Sequence, residues 1–240
     1  GGYNQDGGLD LLTANSGTGT LYKNDLNGGF TDETAAAGLR DSTHPFVGFS
    51  PLFLDYDNDG RLDVFFANGS PQAIVEQLTD QETYAQKDQL FRHNGDGTYT
   101  EVSVTAGAYF SEAFVGRATA GGDYDNDGDT DIFIVNSSQR AILLRNDGGN
   151  RHNWIRIKLV GSRINRDGIG ARVRITMGGD TQISEVKNGS SYASGSDQRL
   201  LFGLGRGKYA DRIEIWWPNG ITQQLENISC NQTVTVTEGP

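Results

Sequence analysis

The sequence predicts an all-β fold: partial β-propeller-type blades carrying acidic loops, followed by a C-terminal β-sandwich-like domain. Three observations predict it. Two nine-residue acidic segments are near copies of one another. Each is followed by a short run of β-branched and aromatic residues. From about residue 151 the acidic repeat stops, while alternating strand patterns continue. Glycine supplies 33 of the 240 residues and long helical patterns are few, as expected of short strands joined by many turns.

The copies are Asp55-Tyr-Asp57-Asn-Asp59-Gly60-Arg-Leu-Asp63 and Asp123-Tyr-Asp125-Asn-Asp127-Gly128-Asp-Thr-Asp131. Each sets side-chain oxygens at positions 1, 3, 5 and 9, with glycine at position 6 to allow the sharp turn. Turn-forming preference explains one Asp-Gly pair. It does not explain four carboxylates within nine residues, twice, which repel one another unless a cation lies among them. A hard ion with about six to eight oxygen ligands answers that need, and calcium fits better than magnesium, which keeps its waters. The expected ligands are Asp55, Asp57, Asp59 and Asp63 with the carbonyl of Arg61, and Asp123, Asp125, Asp127 and Asp131 with the carbonyl of Asp129.

Helix-loop-helix calcium sites are excluded, because position 12 is Phe66 in one copy and Ile134 in the other, not Glu. Leu62–Ala67 and Asp131–Val135 read as strands. The ion is therefore expected to staple a sheet, not to move helices. Asn4-Gln-Asp6-Gly7-Gly8-Leu-Asp10 is an earlier copy, with ligands at Asn4, Asp6, the Gly8 carbonyl and Asp10. Its position 1 is Gly2, so this third site is expected to be weaker, or completed by water or another chain.

The repeat extends beyond the loops. Phe46-Val-Gly48 precedes Asp55 by the same distance as Phe114-Val-Gly116 precedes Asp123. Segments beginning at Leu21, Leu90 and Leu143 open matching hairpins, a periodicity expected of four-stranded propeller blades. An insertion at about 70–89 is expected to be helical. Ser70 caps a first helix with Pro71 at its first position and Ile74, Val75 and Leu78 on one face, and Thr79 with Glu82 opens a second.

The segments Asp55–Asp63, Asp123–Asp131 and Leu90–Tyr99 resemble FG-GAP/VCBS-type repeats, the calcium-loop blades of integrin-α-like propellers, over about residues 1–150. The resemblance implies calcium at the eight aspartates of the two complete loops. Residues 151–240 resemble the ASPIC/UnbV domain, on the strands Trp154–Val160, Ile213–Trp217 and Gln232–Thr237 and the Gly-rich stretches between them. That order of domains is the one found in the cartilage acidic protein family and its bacterial relatives.

Composition narrows the function. There are 31 acidic against 20 basic residues, a net charge of −11, much of it in the loops, which argues against a nucleic-acid partner. The single cysteine, Cys230, makes no internal disulfide, and no apolar run is long enough to span a membrane. His44, His93 and His152 are scattered outside any nucleophile or zinc motif. Gly203-Leu-Gly205-Arg-Gly207 does not open a helix after a parallel strand, so a phosphate cradle is not expected. No enzyme is expected. Trp216 and Trp217 should face opposite sides of one strand.

The function expected is an extracellular, secreted adhesion or interaction module in which calcium is structural, with a protein or glycan partner at a cell surface or matrix. The alternative is a structural subunit of a calcium-stabilised homo-oligomer or filament, assembling by strand addition at open edges. Sequons at Asn68, Asn136, Asn188, Asn227 and Asn231 carry little weight in so Asn-rich a chain.

Overall fold

Short strands rich in Val, Ile and Phe, separated by Gly-Asp and Gly-Asn turns, pair with their sequence neighbours in the computed structural model, which describes residues 1–163 and 165–239. Strands β1 (Leu11–Thr13), β2 (Thr20–Asn24) and β3 (Phe30–Asp32) form a first antiparallel blade. A one-turn helix α1 (Arg40–Thr43) leads to the second, made of β4 (Gly48–Leu54), β5 (Asp63–Asn68), β6 (Gln89–His93) and β7 (Tyr99–Glu101). The third holds β8 (Gly116–Gly122), β9 (Asp131–Asn136) and β10 (Ile142–Leu144).

Blades stack face to face, and side-chain alternation decides which residues meet. On β5, Val64 and Phe66 pack toward Leu21 and Leu39 of the first blade's region. Phe65 and Ala67 point the other way, onto Ile132 and Ile134 of the third. Both faces of β5 are covered, so all six of its residues are buried. A strand enclosed on both sides reads as a continuous apolar run, and Val64–Ala67 is one.

The insertion forms only α2 (Val75–Leu78), which corrects the expectation of two helices. The Ser70 hydroxyl accepts from the amide of Gln72 (3.2 Å) and that of Thr79 from Gln81 (3.1 Å). Each hydroxyl closes a tight local turn, a conformation that competes with helix. Only Val75 of the expected apolar face is buried; Ile74 and Leu78 stay exposed. A further short helix, α3 (Ser103–Ala106), follows β7.

Past residue 152 the chain builds two facing sheets. β11 (Asn153–Val160), β14 (Leu200–Gly205) and β17 (Gln232–Thr237) form one, with β11 central and parallel to β17. β12 (Arg172–Met177), β13 (Asp180–Glu185), β15 (Tyr209–Trp216) and β16 (Thr222–Ser229) form the other. Ile155, Ile157, Val173, Ile175, Phe202, Leu204, Ile213 and Ile215 fill the space between them, with Trp217. Trp216 faces the opposite way, beneath the guanidinium of Arg174 (4.9 Å to the ring centre). Cys230 is half-buried against this core. Among the described residues, no helix is long and apolar enough to cross a membrane.

The sandwich rests on the acidic loops. The Gly205 amide donates to the Asn58 carbonyl (2.8 Å), and His152 Nδ1 lies 2.7 Å from the Asp57 carbonyl. The loop before β14 reaches the inner strands of the blades. Ser191 Oγ donates to the Pro51 carbonyl (2.7 Å), and the Gly121 amide donates to Ser196 Oγ (3.0 Å).

Candidate metal centre

Each acidic loop turns through a left-handed residue at position 4 and a glycine at position 6. The pairs are Gln5 and Gly7, Asn58 and Gly60, and Asn126 and Gly128, all with positive φ. Asn tolerates that conformation better than most residues, and Gly tolerates it freely. Position 9 then pins the loop to its blade. Asp63 accepts from the amide of Tyr56 (3.1 Å) with one oxygen and from that of His93 (2.8 Å) with the other. Asp131 does the same with Tyr124 (3.0 Å) and Asn146 (2.8 Å), and Asp10 with Tyr3 (2.9 Å) and Asn24 (2.8 Å).

At position 1, Asp55 accepts from the amides of Asp59 (3.0 Å) and Gly60 (2.9 Å), and Asp123 from those of Asp127 (3.1 Å) and Gly128 (2.9 Å). The folded loop therefore draws positions 1, 3 and 9 together. Carboxylate oxygens of Asp55, Asp57 and Asp63 lie within 4.8 Å of one another, as do those of Asp123, Asp125 and Asp131. Position 5 stands apart from both groups. Asp59 pairs with the Arg61 side chain (2.9 Å), and Asp127 accepts from Asn150 Nδ2 (2.8 Å).

The first loop differs. It has two carboxylates, and both oxygens of Asp6 are engaged within it, by the Gly8 amide (2.8 Å) and the Asn4 side chain (2.7 Å). A Cβ at Gly2 would meet the Gly8 carbonyl at 2.8 Å. No side chain fits where the other loops carry their first aspartate, so among Asn4, Asp6, Gly8 and Asp10 only two carboxylates are present, against the three that gather in each of the other loops.

Crowding like charges out of water raises their pKa values. Burial is the largest cause at every one of these groups. It pushes Asp63 to about 8 and Asp129 to about 7, and it holds Asp55 well above the usual carboxylate range, aided by the charges of Asp63 and Asp59. Asp57 and Asp131 are raised in the same sense. Asp129 also buries one oxygen, Oδ1, without a donor. An all-oxygen, carboxylate-rich donor set of this span fits a hard cation with ligands at about 2.3–2.6 Å.

The loops are also tied to one another, which the sequence did not reveal. Gln5 Nε2 donates to the Gly60 carbonyl (2.8 Å), and Asn58 Nδ2 donates to the Gly128 carbonyl (2.8 Å). Position 4 of each loop thus holds position 6 of the next. At the end of the series, Asn126 Oδ1 instead accepts from Arg199 Nη1 (2.7 Å) and Arg156 Nη1 (3.3 Å) of the sandwich. A cavity of about 300 Å³ opens beside these groups, lined by Asp55, Asp123, Arg156, Asp197 and Arg199 among others.

The FG-GAP-like repeat family matches residues 3–66, and the ASPIC and UnbV family matches residues 161–240. The first match includes the loop at Asp55; the loop at Asp123 lies beyond it. β11, which precedes the second match, belongs to the sandwich through its pairing with β14 and β17. Cartilage acidic protein 1 of Mus musculus is 28% identical over 229 residues, covering 91% of this chain and 33% of that protein. Its Homo sapiens counterpart is 27% identical over 244 residues, covering 91% and 32%. The chain spans about a third of the length of the curated relatives it matches.

Proposed function

For a chain that joins FG-GAP-like repeats to an ASPIC and UnbV domain, we propose the role of an extracellular, calcium-stabilised interaction module. Its calcium is structural, and the blades present a surface to a protein or glycan partner in a matrix. One observation carries this reading: two separate loops each gather three carboxylates within 4.8 Å of one another, and in the second loop burial raises the pKa of all three, whose charge a bound cation relieves. Extracellular calcium modules bind at about 10⁻⁴–10⁻³ M, where the ion is always present. The relatives' printed name, cartilage acidic protein, agrees with a matrix setting. Bound calcium would neutralise Asp55, Asp57 and Asp63 together, and Asp123, Asp125 and Asp131 together. The protein's own residues do the rest: Asp63 and Asp131 hold the loop to the blade, and Asn58 holds one loop to the next. Thermal unfolding with chelator and with millimolar calcium tests this. A melting temperature raised by several degrees in calcium supports it, and an unchanged one opposes it.

Assembly with further copies is a second reading, favoured by a different observation. Phe133 and Leu143 on the third blade occupy the register positions of Phe65 and Leu90 on the second. Phe65 and Leu90 are covered by the third blade, whereas Phe133 and Leu143 are 44% and 45% exposed. Association through that face, rather than through strand edges, would bury them, and sizing chromatography of Phe133→Ser against the parent chain distinguishes the two.

A further inference from the structure

The sandwich meets the second and third loops differently. Over the second loop it places Gly203, whose backbone lies so close to Asp55 and Asn58 that any Cβ there would overlap them. Over the third it places Arg156, whose guanidinium contacts the Asp123 carboxylate with both side chains shut off from solvent (3% and 2% exposed). Among the described residues, no ion pair reaches Asp55, while Asp123 has a full cationic partner. Arg199 reinforces it, donating to the Asp123 carbonyl (3.1 Å) and to Asn126 (2.7 Å) while paired with Asp197 (2.6 Å).

A buried carboxylate without a partner is strongly disfavoured, and a buried guanidinium equally so; together they neutralise one another. The same guanidinium repels a divalent ion brought to that carboxylate, and the repulsion is strong where water is excluded. The third loop still offers the remaining oxygens a cation needs, including the donorless Oδ1 of Asp129.

We propose that Arg156 is a built-in counter-cation for the third acidic loop. It keeps that loop folded without calcium, lowers calcium affinity there, and makes the two loops fill in order, second before third. Through Arg156 and Arg199, occupancy of the third loop is coupled to the seating of the sandwich on the blades. This rests on the reading that the loops bind calcium.

The test is calorimetric titration of chelator-stripped protein with calcium, alongside metal-free melting. Wild-type protein should show two affinities, the tighter removed by Asp57→Asn and the weaker by Asp125→Asn. Arg156→Met should tighten the weaker site by about ten-fold or more and lower the metal-free melting temperature, which calcium then restores. Arg156→Lys, which keeps the charge, should retain the wild-type order. Should the Met variant not fold, Arg156→Gln serves in its place. Two affinities left unchanged by removing the charge would overturn the proposal while leaving calcium binding standing. Wild-type protein that takes up no calcium would sink the underlying reading as well, and only this outcome does so.

Discussion

The second and third blades carry almost the same loop and almost the same strand, yet they sit in different surroundings. Asp63-Val-Phe-Phe-Ala-Asn68 is enclosed on both faces, and its loop faces the sandwich through glycine. Asp131-Ile-Phe-Ile-Val-Asn136 is covered on one face only, and its loop meets arginine. The repeat thus fixes which groups are brought together, and the neighbours set what it costs to leave them without a cation. On the proposed reading, the second loop depends on calcium more than the third.

The largest test of this contrast is in the blades themselves. Phe65→Ala should destabilise by about 3–5 kcal/mol, since it empties a fully enclosed site. Phe133→Ala, the equivalent change on the uncovered face, should stay within about 1 kcal/mol in the isolated chain. Denaturant unfolding measures both; equal losses would mean that the third blade's outer face is covered after all.

Next come the pinning aspartates. Asp63→Ala strands the amides of Tyr56 and His93 and should cost about 2–4 kcal/mol even in calcium, because each orphaned buried donor costs about 1–3 kcal/mol. Asp131→Ala should cost less, as its loop is more open to water. If the two were equal, the enclosure of the second blade would not be the deciding factor.

The pH dependence follows from the raised carboxyls. Asp63 at about 8 and Asp129 at about 7 both lie above their unfolded value of about 3.9. Ionising a group whose folded pKa is raised favours the unfolded state. Metal-free protein should therefore lose stability as pH climbs from about 4 to about 8, with little further loss above. Calcium, which favours the ionised form, should stabilise more at pH 8 than at pH 5. Melting with and without chelator at the two pH values checks the sign. Asp57→Asn should flatten the metal-free slope by relieving like charge around Asp63.

Much of this arrangement was legible in the residues. The loop spacing marked Asp55, Asp57, Asp63 and their counterparts as neighbours, because side-chain position in a short loop is a local property; it also marked Asp59 and Asp127, which lie outside those groups. Alternation set Trp216 and Trp217 on opposite faces for the same reason, and the packing made Trp217 the inward one. Arg156 was not legible. It lies on the face of β11 opposite Ile155 and Ile157, where strand alternation reads as solvent. Only the packing of the sandwich on a loop some thirty residues earlier buries it. Asn58 looked like a turn residue, and is one; its bond to Gly128 joins parts of the chain far apart in sequence. Thr79 and Glu82 matched a capping pattern, but a two-residue turn took the hydroxyl first. Phe65 and Phe133 share one pattern, so sequence alone could not say which of them would be covered.

Among the loop substitutions the smallest expected loss is at Asn58. Asn58→Ala removes one inter-loop hydrogen bond and should cost about 1–2 kcal/mol, loosening the third loop without abolishing calcium binding at the second.

The most direct measurement is a crystal structure grown in millimolar calcium with anomalous data. An ion should appear within about 2.3–2.6 Å of oxygens from Asp55, Asp57 and Asp63. Water alone among those three carboxylates, with calcium in excess, would contradict the calcium reading.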